Sequence, residues 1–175
     1  MRSYVLRCEM RVPRSLEETF AIFENPHNLA LITPPWLNFK VVPGRLEMRQ
    51  GLLIDYTIRW LGVPLKWRTC IDHYEPPHMF VDRQARGPYQ LWHHIHRFHE
   101  DRGGTLVSDQ VTYVLPLGPL GRLAHAVLVK HQLLTIFRYR QRALAAMLGG
   151  ADELREPWVE AASPITKQEL AEYRA

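Results

Sequence analysis

The stretch Trp92–His99, WHHIHRFH, places His93, His94, His96 and His99 within seven residues, four of the chain's nine histidines. Imidazole titrates near neutral pH and is a common ligand of divalent metals. Successive side chains of a strand point to opposite faces. One face of this stretch therefore carries Trp92, His94, His96 and Phe98, and the other His93, Ile95, Arg97 and His99. His94 and His96 stand about 6.5–7 Å apart along the strand. Such a pair could bind zinc if Asp82 or Asp109 supplied a third ligand. It could move a proton if a neighbouring carboxylate fixed its tautomer and raised its pKa. It could also close a buried hydrogen-bond network with no chemistry of its own. The aromatic ends of the first set place that set inward, which leaves His93 and His99 on the wetter face. No serine or cysteine nucleophile stands beside a base.

Composition narrows the classes. The chain has 175 residues, 46% of them hydrophobic and 23% charged, which suits one globular domain with a sizeable core. The net charge of +4 is mild, and the arginines are scattered, so no nucleic-acid partner is expected. A basic surface still suits anionic membranes or acidic partner proteins. Two cysteines, Cys8 and Cys70, cannot build a disulfide framework. The N-terminus lacks an apolar leader core, and no apolar run reaches the ~20 residues of a spanning helix. A reducing, cytoplasmic setting is expected. Nothing in the sequence fixes the oligomeric state.

The elements that must position the histidines follow from periodicity. Tyr4–Val12 alternates as a half-buried strand with Cys8 inward. Ser15 and Glu18 form a capping box that opens a helix with Leu16, Phe20 and Phe23 on its apolar face. Asn25-Pro26 ends it, and a second short helix is expected over 27–31. Strands are then expected at Leu37–Val41, Ile54–Trp60, Leu65–Asp72, Met79–Arg86, Leu91–Glu100 and Thr105–Leu115, separated by turn residues. On the third of these Cys70 faces out, against a bond with inward Cys8. After Pro116–Gly121 a long helix runs from Leu120 to about Leu148, with Leu123, Val127, Leu134, Phe137, Leu144 and Leu148 on one side. Arg138, Arg140 and Arg142 are expected as its solvated end, and Gly149-Gly150 as its stop. The predicted fold is α+β: a curved antiparallel sheet wrapped around a long C-terminal helix, with two short helices after the first strand. A sheet bent round a helix leaves a cavity suited to an apolar ligand. Residues 1–149 form the domain and 150–175 a polar extension, with one helix expected over 166–173.

This element order, with "VPRSLEETFAIFENPHNLALITP", "IRWLGVPLKWRTCI", "FVDRQARGPYQLWHHIHRF", "GGTLVSDQVTYVLPLGPLG" and "FRYRQRAL", resembles the SRPBCC superfamily over residues 3–148. That is the helix-grip group of START lipid-transfer domains, aromatic polyketide cyclases and birch-pollen-allergen-like proteins. The likeness is to its bacterial ligand-binding branch. The resemblance implies a cavity for a hydrophobic small molecule, lipid-like or aromatic and polyketide-like, and only some members are enzymes. It also implies no cofactor and no metal, since the superfamily is mostly metal-free, and it favours Asp82 and Gln84 pointing inward.

A hairpin loop at Asp101–Gly104 sets Glu100 opposite Thr105, Phe98 opposite Val107, His96 opposite Asp109, His94 opposite Val111 and Trp92 opposite Tyr113. Opposed residues have Cβ atoms about 5 Å apart, within reach of a His96–Asp109 hydrogen bond. The expected cavity wall combines Tyr56, Trp67, Trp92, Phe98 and Tyr113 with a polar group of Asp82, Gln84, His94, His96 and Asp109, faced by Val127 and Leu134 of the helix. In an enzyme of the cyclase or dehydratase kind, His96 would be the acid/base, Asp109 its orienting partner, and His94 or Tyr113 the group polarising a carbonyl. A plain ligand carrier and a partner-binding module are the other two classes.

Overall fold

The computed structural model describes residues 1–42, 44 and 46–173. β1 (Tyr4–Val12) buries Tyr4, Leu6, Cys8, Met10 and Val12, the alternating set. Helix α1 (Leu16–Glu24) starts at Ser15, whose hydroxyl accepts from the Glu18 amide at 3.2 Å while the Glu18 carboxylate accepts from the Ser15 amide. The second short helix is a 3-10 turn, Pro26–Ala30, capped by the Asn25 side chain. The strand expected at Leu37–Val41 is mostly absent. Pro35–Leu37 forms another 3-10 turn, ended by Asn38 at φ +44°, and only β2 (Lys40–Val41) pairs. Pro35 opens that turn, and its missing N–H removes a ladder donor.

β3 (Leu53–Trp60), β4 (Val63–Glu75), β5 (Met79–Arg86), β6 (Leu91–Asp101) and β7 (Gly104–Val114) follow as an antiparallel meander. β1 pairs with β7 at the end of that row, giving the order β2-β3-β4-β5-β6-β7-β1. Register shifts at Arg68/Thr69 and Ile71/His73 mark bulges between β4 and β5, which add twist and bend. The β6–β7 ladder has the expected register throughout, from Trp92 opposite Tyr113 to Glu100 opposite Thr105. Cys8 is buried and Cys70 half-buried, and both are free thiols.

The long helix begins slightly earlier than expected. It runs as α2 (Gly118–Ala124), one π-helical turn (His125–Val129) and α3 (Lys130–Met147). Gly121 is needed there, because a Cβ would lie 2.1 Å from the Pro116 carbonyl oxygen. The π turn corrects the expected helix face. Gly121, His125, Val129, Leu133, Phe137 and Gln141 are buried, every fourth residue. Leu123 and Val127, which a 3.6 repeat brings to the same side, are 63% and 69% exposed. Leu134 is half-buried, and Leu133 takes the inward place. The helix stops where expected. Gly149 has φ +81°, and the Gly150 amide donates to the Ala145 carbonyl at 2.7 Å.

The tail packs on the sheet. β8 (Glu153–Leu154) and β9 (Trp158–Ala161) both pair with β1, and α4 (Lys167–Glu172) starts from a Thr166–Glu169 capping box. Ile165 and Leu170 cover Leu91 and Val114 on the outer face. At the other face α1, the sheet and the end of α3 close a core of Leu16, Phe20, Phe80, Phe98, Val107 and Leu144. No helix among the described residues is long and apolar enough to cross a membrane.

Candidate functional site

Between the sheet and the long helix lies a cavity of about 550 Å³. One side is aromatic. Tyr56 from β3 stacks on Trp67 from β4, with ring centroids 5.9 Å apart, and Trp67 meets Trp92 of β6 edge-on at 5.5 Å. The alternation of each strand aims these rings inward. Their polar atoms are satisfied locally: Trp67 Nε1 donates to Thr69 Oγ1 at 3.1 Å, and Tyr56 Oη lies 3.2 Å from the same oxygen. Trp60 closes the wall toward the helix by donating its indole N–H to Gln132 Oε1.

A polar corner interrupts the apolar wall. Asp82 of β5 and His94 and His96 of β6 line the cavity, and Asp109 of β7 lies behind them. His96 Nε2 is 2.9 Å from Asp82 Oδ2, and His94 Nε2 is 3.2 Å from Asp109 Oδ1. His94 Nδ1 lies 3.5 Å from Asp82 Oδ2. His96 Nδ1 lies 2.7 Å from Asp109 Oδ1 but makes no hydrogen bond there. At so short a separation, it is the angle that fails. The two imidazoles are 3.7 Å apart, centre to centre.

These neighbours set the protonation states. Burial opposes the charge of His96, yet Asp109 and Asp82 outweigh it and raise its pKa. His94 is held neutral, first by burial and then by the charge of His96. Burial also opposes both carboxylates, but the imidazoles lower Asp82 and hold Asp109 far below the usual carboxylate range.

Of the residues expected at the site, Tyr56, Trp67, Asp82, Trp92, His94 and His96 line the cavity together. Six others sit elsewhere. Phe98 is wholly buried in the core beside α1, against Phe20 and Phe23. Tyr113 is wholly buried, its hydroxyl 2.8 Å from His125 Nε2. Gln84 turns back on its own hairpin, where its side chain both donates to and accepts from the Tyr89 backbone. Asp109 stands behind the histidines, Val127 points to solvent, and Leu134 is displaced by Leu133. The outward histidines are as expected, with His99 exposed and His93 half-buried against Tyr173.

Arg140 is a lining residue that sequence reading missed. Its guanidinium carbon lies 5.4 Å from the Phe137 ring centre, and its Nε is buried without a hydrogen-bond partner among the described residues. The signal was present: Leu133, Ile136, Phe137 and Arg140 share one face at helical spacing. His125, in the π turn, was also missed. It stacks on Tyr4 at 3.5 Å between centroids.

No family model and no curated protein sequence matches the chain. Solved structures do. Major latex-like protein 151 from Panax ginseng is 13% identical with a TM-score of 0.63, over 85% of this chain and 99% of that one. Protein Ms6760 from Mycobacterium smegmatis is 17% identical with a TM-score of 0.61, over 83% and 90%. Ara h 8.0201 is 15% identical with a TM-score of 0.56, over 82% and 99%. At these identities the likeness is one of fold: this chain has the helix-grip fold that the SRPBCC resemblance implied.

Proposed function

We propose that residues 1–149 hold a hydrophobic small molecule, aromatic or lipid-like, between the sheet and the long helix, with residues 150–175 as a structural extension. The observation that carries this reading is the cavity itself. Its volume of about 550 Å³ falls in the range of small-molecule sites, roughly 300–1,000 Å³, and its wall is mostly apolar with one charged corner. Flat rings of Tyr56, Trp67 and Trp92 suit an aromatic or unsaturated body. Asp82, His96 and Arg140 suit an oxygen-bearing end. Two free thiols support a cytoplasmic setting. Titration with the fluorescent probe 1-anilinonaphthalene-8-sulfonate tests the reading: saturable binding of one probe per chain is expected, and its absence overturns the proposal.

A second reading, a cyclase or dehydratase, is favoured by His96, which is buried in the cavity wall between Asp109 and Asp82. His96 donates the proton, and Asp82, 2.9 Å from its Nε2, orients it in place of the expected Asp109. Tyr113 lies outside the cavity with its hydroxyl engaged by His125, so His94 is the remaining group for polarising a carbonyl. Turnover of an aldol-type aromatic model substrate should vanish in His96→Gln while probe affinity stays within a few fold. Surviving turnover removes the assignment.

A further inference from the structure

We infer that Asp82, His94 and His96 form a binding site for a divalent first-row transition metal ion such as zinc, open to the cavity and supported from behind by Asp109. The three side chains each offer a ligand atom, and these atoms lie within 4.8 Å of one another. Bonds of about 2.1 Å in a tetrahedral site put ligand atoms roughly 3.4 Å apart. The separations from Asp82 Oδ2, 2.9 Å to His96 Nε2 and 3.5 Å to His94 Nδ1, straddle that value.

The hydrogen-bond arithmetic of the cluster points the same way. All four ring nitrogens of His94 and His96 face a carboxylate oxygen, two toward Asp82 and two toward Asp109. Ionised carboxylates only accept. Two imidazoles, one of them charged, carry three N–H groups, so one of the four nitrogens would still aim a lone pair at an oxygen. A cation beside Asp82 resolves this. It takes the lone pairs of His94 Nδ1 and His96 Nε2 together with one Asp82 oxygen. The remaining N–H of His94 then donates to Asp109 at 3.2 Å, the carboxylate–histidine–metal arrangement that fixes tautomer and ring orientation, and the remaining nitrogen of His96 lies 2.7 Å from the same oxygen. Charge agrees, since one buried and one half-buried carboxylate balance a dication.

The site is also accessible from one side. Asp82 is 16% exposed and faces the cavity, whereas Asp109 does not line it. Two histidines and one carboxylate leave coordination positions free on the cavity side, the pattern of metal sites that take water or a ligand oxygen. The ion would act there as a Lewis acid on an oxygen of the molecule in the cavity. The sequence offered Asp82 or Asp109 as a third ligand, but the resemblance to a mostly metal-free superfamily set the expectation of no metal.

The test uses the full chain after chelator treatment, with ZnCl2 followed by calorimetry and CoCl2 followed by its visible spectrum. One ion per chain and the intense bands of four- or five-coordinate cobalt are expected. Asp82→Asn and His94→Gln should each weaken zinc binding by 100-fold or more. Asp109→Asn, acting through the imidazoles, should weaken it by about 10–100-fold. His99→Gln and His131→Gln, at exposed histidines, should change nothing. No uptake, or uptake that Asp82→Asn and His94→Gln leave unaltered, overturns the site. If those variants fail to fold, the cobalt spectrum of the unchanged chain decides, and weak octahedral bands overturn it. No organic ligand is present in this test, and the cavity titration is run with chelator, so either proposal can fail alone.

Discussion

Asp109 stands directly opposite His96 in the β6–β7 ladder, yet its hydrogen bond, 3.2 Å long, goes to the diagonal residue His94. Asp82 mirrors this: it stands opposite His94 in the β5–β6 ladder and bonds His96 at 2.9 Å. Each carboxylate thus bonds one imidazole and faces the other, and three strands are tied by four side chains. Diagonal neighbours on a sheet face are within reach of side chains this long.

Its bond to His94 and its place against His96 make Asp109 a structural element whatever else the corner does. Asp109→Asn should cost about 2–4 kcal/mol, because the buried imidazoles lose the charge that faces them both. Urea unfolding of Asp109→Asn, His94→Asn and the double variant should give a coupling of about 1–3 kcal/mol. Additive losses would mean that the diagonal bond carries no energy.

The cavity should be fillable without loss of the fold. Ile136 is partly buried and lines the space. Ile136→Trp is expected to weaken 1-anilinonaphthalene-8-sulfonate binding by tenfold or more while costing no more than about 1–3 kcal/mol. Unchanged affinity in that variant would place the probe elsewhere.

His125 predicts an acid-sensitive stability. It is packed on Tyr4 and Tyr113, and burial, then Lys130 and Arg2, push its pKa down to about 4. In the unfolded chain the ring takes a proton near the ordinary value of about 6.5. Its contribution is therefore complete above that pH, is lost as pH falls from about 6.5 to about 4, and is constant below. Melting curves across this window should show a steeper fall for the natural chain than for His125→Gln, whose amide oxygen can still accept from Tyr113. Parallel curves would refute the account.

Removing residues 151–175 should harm the fold. The segment supplies β8 and β9 to β1, accepts the Ser3 hydroxyl at the Ser163 carbonyl at 2.5 Å, and buries Ile165 and Leu170. Loss of those two side chains alone costs about 3–6 kcal/mol, or roughly 6–24 °C in melting temperature. The bared edge of β1 should also drive self-association, visible by light scattering. A truncated chain that melts where the full chain does would show the tail to be a passive add-on.

The sequence by itself determined whatever depends on local period and turn chemistry. Alternation in Trp92–His99 separated His94 and His96 from His93 and His99. The Asp101–Gly104 turn then set the β6–β7 register to the residue, because a slip by one would have buried the polar face. Ser15 with Glu18, and Gly149 with Gly150, marked helix ends through backbone groups they satisfy themselves. Only the tertiary structure decided what distant elements impose on one another. The π turn at His125–Val129 shifted the helix face, turned Val127 outward and brought Leu133 to the cavity, with Arg140 further along the same face. No propensity signals that extra residue. It is held where the helix seats His125 against Tyr4 of β1 and Tyr113 of β7. The sharing of Asp82 by two histidines arose in the same way. It depends on how β5 leans on β6, a packing geometry that neither strand encodes alone.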